Sequence, residues 1–182
     1  MEFYYRPFGA DNDFDKSKII TPDNIAKIRT RNANFLINME AADWLVSPTQ
    51  WQASLHPNSF YHKYSVIHEG IDTELLVKKT KNITFLKQLG VKADSKIVTY
   101  ISRNFETYRG FESAMYAIEK VNKKMPEVHF FMIGGNDTGY GPKTQSNKAL
   151  KEIMTAKTNI NPSRIHWFSR VNYKIFQEML SF

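Results

Sequence analysis

The stretch from Ile97 to Phe111, IVTYISRNFETYRGF, constrains the fold more than any other part of the chain. It opens on Ile97-Val98-Thr99-Tyr100-Ile101, an apolar run rich in β-branched and aromatic residues, which predicts a buried strand. After Ser102 the character changes at once, and Arg103, Glu106, Arg109 and Gly110 crowd one short loop. Phe111, Ala114, Met115, Ile118 and Val121 then recur at i, i+3, i+4 spacing, which predicts a helix running to about Met125. A buried parallel strand feeding a polar loop and then a helix is the unit that binds ligands in open α/β sheets, in the crevice beyond the strand's carboxyl end. Two guanidiniums beside a helix N-terminus suit a doubly charged anion such as a diphosphate.

The same alternation continues downstream. Lys120, Lys123 and Lys124 complement the dipole of that helix, and Pro126 stops it. Val128 to Ile133 is the next strand, followed by Gly134-Gly135-Asn136-Asp137, where glycines let a ligand approach the backbone. This is neither the dinucleotide fingerprint nor a Walker A loop, and a plain turn is the competing reading. A loop with Gly139, Gly141 and Pro142 leads to a helix near residues 148–157. Ile165 to Phe168 is the third strand, Ser169-Arg170-Val171 its exit loop, and Tyr173, Phe176, Met179 and Leu180 begin another helix. Residues 96–182 therefore read β-α-β-α-β-α, a parallel sheet that needs both faces covered.

Upstream the signals are shorter. Phe3-Tyr4-Tyr5 is a strand candidate, and Asp11, Asp13 and Asp15 make an acidic patch without the glycine or spacing of a calcium loop. Thr21-Pro22 starts a helix with Ile25, Ile28, Phe35, Leu36 and Met39 as its apolar stripe, and with Arg29, Arg31 and Asn32 on the polar side. Trp44-Leu45-Val46 predicts a strand, and Ser47-Pro48-Thr49-Gln50 a capping box with Ser47 at the N-cap of a short helix. His56-Pro57-Asn58-Ser59 breaks that helix, and Tyr64 to Ile67 is a second strand, ending in His68-Glu69-Gly70-Ile71-Asp72. The spacing of His56, His62 and His68 fits no metal motif, so no metal is expected. Residues 73–95, with Lys78, Lys79 and Lys81 and a short helix closed by Leu89-Gly90, read as a connector.

Composition sets the outer limits. A chain of 182 residues with 42% hydrophobic content builds a real core. A net charge of +7 favours anionic partners, or reflects a solvated lysine-rich exterior. No cysteine is present, which excludes disulfides and thiolate chemistry. The apolar runs fall short of a membrane span and the start lacks the pattern of a signal peptide, so cytoplasm is the expected compartment.

The stretches AADWLVSPTQWQ, SVIHEGIDTELL, VTYISRNFETYRGF, FFMIGGNDTGYG and RIHWFSRVNYKIFQEML, in this order, resemble a family-four glycosyltransferase of the GT-B fold, of the bacterial kind that builds cell-envelope and O-antigen polysaccharide. The resemblance implies α/β architecture with a partial Rossmann-like parallel sheet. It divides the chain into residues 1–72 as the tail of an acceptor domain with its hinge, 73–95 as connector, and 96–182 as part of a nucleotide-sugar-binding domain. It assigns the donor diphosphate to Arg103, Arg109 and Gly110, with arginine at 109 where the family carries lysine. It matches Gly134 and Gly135 to the donor loop, Ser169, Arg170 and Val171 to the nucleobase, and Gly70 and Asp72 to the hinge. The family's paired glutamates and the glycine-rich start of its acceptor domain have no counterpart here, so the resemblance is to a middle slice, with no transferase activity expected from it alone.

The implied reaction is retaining, metal-independent transfer from a nucleotide-diphosphate sugar to a glycan or lipid-linked acceptor, the latter placing the enzyme at the inner face of the membrane. No further cofactor is implied. Glu69 and Glu106 are the carboxylates nearest the site, and neither is assigned to catalysis. Glu106 is expected to orient Arg103 or Arg109 by ion pairing. Two other readings stay open: a basic α/β module binding nucleic acid or an anionic surface without catalysis, although no nucleic-acid motif is present, and one part of a split glycosyltransferase completed by a second chain.

Overall fold

A computed structural model describes residues 21–74, 76–77, 82–137 and 149–180. The expected strand at Phe3-Tyr4-Tyr5, the aspartate patch, Lys78, Lys79, Lys81 and the loop with Gly139, Gly141 and Pro142 lie outside these residues. The chain divides into two compact units between Ile71 and Asp72. Among the described residues no helix is long and apolar enough to cross a membrane.

The first unit begins with helix α1, Pro22–Ala41, whose N-cap Thr21 accepts a hydrogen bond from the Asn24 N–H at 3.2 Å. Its C-terminal carbonyls are held by Lys63, which donates from Nζ to the Glu40 and Ala42 carbonyls. The sequence places Asn32 on the polar side of α1, yet it is buried together with Met39, while Ile25, Ile28, Phe35 and Leu36 are only half-buried. Strands β1 (Leu45–Ser47) and β2 (Tyr64–Val66) pair in parallel, Leu45 opposite Tyr64 and Ser47 opposite Val66. Helix α2, Gln50–Ser54, lies between them, followed by a 3₁₀ segment from Asn58 to Lys63.

The capping box of α2 sits two residues later than the sequence suggests. Thr49 is the N-cap and accepts from the Gln52 N–H at 3.1 Å, with the two side chains also bonded at 3.0 Å. Ser47 is taken up by the sheet: its carbonyl accepts from Ile67 and its hydroxyl donates to the Thr49 carbonyl. His56 bonds the Gln52 carbonyl, and His68 accepts from the Gly70 N–H.

The second unit is a three-layer sandwich. Strands β3 (Ile97–Asn104), β4 (His129–Gly135) and β5 (Ile165–Phe168) form a parallel sheet in the order β3-β4-β5. One face packs Phe130, Met132, Ile165 and Trp167 against α4 (Phe111–Lys124) and α5 (Leu150–Lys157) through Phe111, Met115, Ile118 and Met154. The other packs Phe131, Ile133, Ile97, Ile101 and Phe168 against α3 (Ile83–Gln88) and α6 (Tyr173–Leu180) through Leu86 and Met179. Both faces are covered, as a parallel sheet requires. Leu86 and Val91, from the stretch read as a connector, are buried in the second of these cores. Helix α4 ends before Pro126, and Gly90 follows α3 at φ 68°, a left-handed position that glycine adopts without strain.

Three side chains not singled out in the sequence meet at the amino end of this sheet. Arg164 donates from Nη1 to Nε2 of His129 at 2.7 Å. A guanidinium only donates, so that nitrogen accepts, and His129 donates from Nδ1 to Nε2 of His166 at 2.9 Å. The imidazoles stack with centroids 5.2 Å apart, and His129 is 3% exposed. Burial pushes the pKa of His129 below its ordinary value, helped by Arg164 and then His166, while burial and then Arg164 do the same for His166.

Candidate functional site at the carboxyl edge of the second sheet

The three strands run parallel and in register, Ile101 opposite Ile133 and Ile133 opposite Phe168, so their exits lie along one edge. Those exits carry Arg103, the Gly134–Asp137 segment, and Ser169-Arg170-Val171. This is the edge at which open α/β sheets take ligands.

Strand β3 is longer than the apolar run predicts. It extends to Asn104, and the register slips between Ile101 and Asn104, which pairs with Gly135. Ser102 and Arg103 thus lie together opposite Gly134. A bulge of this kind bends a strand and re-aims a side chain next to a site. Arg103 is exposed there.

The following turn is held from several sides. The Phe105 N–H donates to the Gly135 carbonyl at 2.8 Å, and the Ser102 hydroxyl to the Asn104 carbonyl at 2.6 Å. The Phe105 ring packs on Phe111 at 4.8 Å and edge-on against Trp167 at 5.4 Å. Tyr100 donates its hydroxyl to the Arg109 carbonyl at 2.9 Å, and burial raises its pKa, which keeps the donor protonated. Thr107–Arg109 form one 3₁₀ turn, closed by the Gly110 N–H on the Thr107 carbonyl. Gly110, at φ 69°, then turns the chain into α4, a 14-residue helix without any side-chain cap, whose Phe111 N–H is directed to the Glu106 carbonyl at 3.5 Å and whose positive dipole end faces this turn.

Glu106 is only 2% exposed, whereas the side chain of Arg109 is 51% exposed, with its Nε 3.7 Å from Glu106 Oε1. The glycines sit at the end of β4 rather than in the loop after it, and the packing accounts for both. A Cβ on Gly134 would stand 2.9 Å from the Phe105 ring and 3.0 Å from the Ser102 carbonyl, and one on Gly135 2.6 Å from Asn104 Oδ1. Ser169 and Arg170 are exposed, and Val171 packs on the α3–α6 side. Gly70, exposed at φ 75°, and Asp72, whose carboxylate accepts from the Glu74 N–H, flank the division between the two units.

Parallel strands with helices on both faces make this a Rossmann-like α/β protein. Residues 1–76 match the model of the Glycosyl transferase family 4 group. No curated protein matches the chain. The family match supports glycosyltransfer as the general class of activity, with a sugar donor and an acceptor as substrates. It spans the first unit and the first residues of the second, so the edge residues from Arg103 onward lie outside it.

Proposed function

We propose that this chain serves sugar transfer from a nucleotide-diphosphate donor, and that the carboxyl edge of β3-β4-β5 holds the diphosphate. The carrying observation is the fixed path from Ile101 to Phe111: a bulge presents Arg103, a braced turn presents Arg109, and Gly110 opens α4 directly behind them. A diphosphate leaving group gains charge as the glycosidic bond breaks, and donors fixed in advance stabilise that charge. Two guanidiniums and a helix N-terminus supply positive potential in the role that a metal plays elsewhere, and the transfer is of the retaining GT-B kind. Gly134 and Gly135 border the donor, Ser169-Arg170-Val171 the base, and Gly70 and Asp72 form the hinge. The acceptor is a glycan or a lipid-linked glycan of bacterial envelope polysaccharide.

Calorimetric titration with UDP, GDP and their sugars tests this. The Arg103→Ala, Arg109→Ala double variant should bind the preferred nucleotide on the order of tenfold or more weakly, since charge-assisted contacts to phosphate are among the strong hydrogen bonds. Equal heats from both proteins would remove the site. A steep salt dependence unaffected by the two substitutions would point instead to diffuse attraction by lysines.

A further inference from the structure

Glu106 is a carboxylate buried at an edge that, on the donor reading above, receives an anion. Buried carboxylates are rare unless paired, and Arg109 supplies a cation beside this one. The two side chains approach asymmetrically. Glu106 is enclosed, Arg109 is half open, and the short distance runs to Nε rather than to the terminal nitrogens. The backbone fixes both ends, because the Glu106 carbonyl accepts from the Arg109 N–H at 3.1 Å and Tyr100 holds the Arg109 carbonyl.

We infer that Glu106 is a positioning residue: its buried carboxylate fixes the Nε edge of Arg109 and so commits the two terminal nitrogens to bidentate contact with the donor's diphosphate. This role rests on the nucleotide-diphosphate reading. A guanidinium recognises phosphate through a planar fork, so its orientation matters as much as its charge. At 3.7 Å the pair is longer than a hydrogen bond, and it closes when phosphate draws the fork into line, as contacts in ligand-free sites commonly do.

The electrostatic sign makes the role testable. If Glu106 merely sits near the ligand, removing its charge relieves repulsion, and Glu106→Gln binds diphosphate more tightly. If it positions Arg109, the same variant binds more weakly. UDP, UMP, GDP and GMP are titrated against the full chain, its Glu106→Gln and Arg109→Lys variants, and the double variant. The expected result is a loss on the order of tenfold for the preferred diphosphate in Glu106→Gln, with the monophosphate changed by about twofold or less. Arg109→Lys, which lacks the fork, should lose the same preference, and the double variant should be no worse than either single one. Tighter or unchanged diphosphate binding by Glu106→Gln overturns the role, and so does an equal loss for mono- and diphosphate, the mark of a structural defect. If Glu106→Gln fails to fold, Arg109→Lys decides: an unchanged preference for diphosphate overturns the role. If the wild-type chain binds no nucleotide, the donor reading and this role fall together; if it binds and only the Glu106 arm fails, the donor reading stands.

Discussion

Mild acid should loosen the amino end of the second sheet through the Arg164–His129–His166 chain. His129 accepts from a guanidinium on one nitrogen and donates to His166 from the other, so a second proton has no place without breaking a bond. Protonating His129 at Nε2 sets two cations against each other across the present 2.7 Å. Protonating His166 at Nε2 opposes the His129 N–H. Both pKa values lie below the ordinary 6.5 in the folded chain. The unfolded chain therefore takes up protons first. Stability is fully present above about pH 6.5 and falls as the pH drops toward the folded values. Each histidine can contribute at most ~1.4 kcal/mol per pH unit, and solvent screening lowers the share of the half-buried His166, so the joint slope stays below ~3 kcal/mol per unit. Set against a typical domain stability of roughly 5–15 kcal/mol, a slope approaching that bound is a substantial loss. Hydrogen exchange of the β4 and β5 amides, corrected for intrinsic rate, reads the second unit separately from the first. The wild type should lose protection between pH 7 and 5.5 relative to a His129→Gln, His166→Gln variant. Protection falling in parallel in both proteins would refute the reasoning.

Other perturbations have equally definite outcomes. Gly134→Ala should destabilise the second unit by about 1–3 kcal/mol, because its Cβ meets the Ser102 carbonyl as well as the Phe105 ring and a backbone atom yields poorly; denaturant unfolding measures this. Met115→Ala should cost about 2–5 kcal/mol from a fully enclosed site, while Tyr116→Ala one position on, at an exposed site, stays within about 0.5 kcal/mol, a contrast thermal melts will show. Thr49→Ala should cost about 1 kcal/mol in the first unit by removing the cap on α2, and Ser47→Ala should leave the Gln52 N–H protected, as amide exchange would report.

The alternation of strand and helix from Ile97 onward was legible because it is written in local periodicity. Apolar runs of four to six residues, helical stripes, Pro126 and Gly90 act within a few residues of themselves, and the elements fall where those signals put them. The Thr21 cap is of the same kind. The capping box at Ser47 was misplaced because two hydroxyls compete there, and only the pairing of Ser47 with Val66 decides which one is free to cap.

What the chain order alone determined, then, is the succession of elements and the presence of two arginines on the first strand–helix turn of the second unit. Only the tertiary structure decided how that turn is held: the slipped register at Ser102–Arg103, the enclosure of Glu106, the packing reasons for Gly134 and Gly135, and the burial of Asn32. The histidine chain is the clearest case, since its partners stand 35 and 37 residues apart in sequence. Periodicity tells which face of an element is apolar. It carries no information about which polar side chain a distant element will bring against it, and that choice is made by strand register and packing.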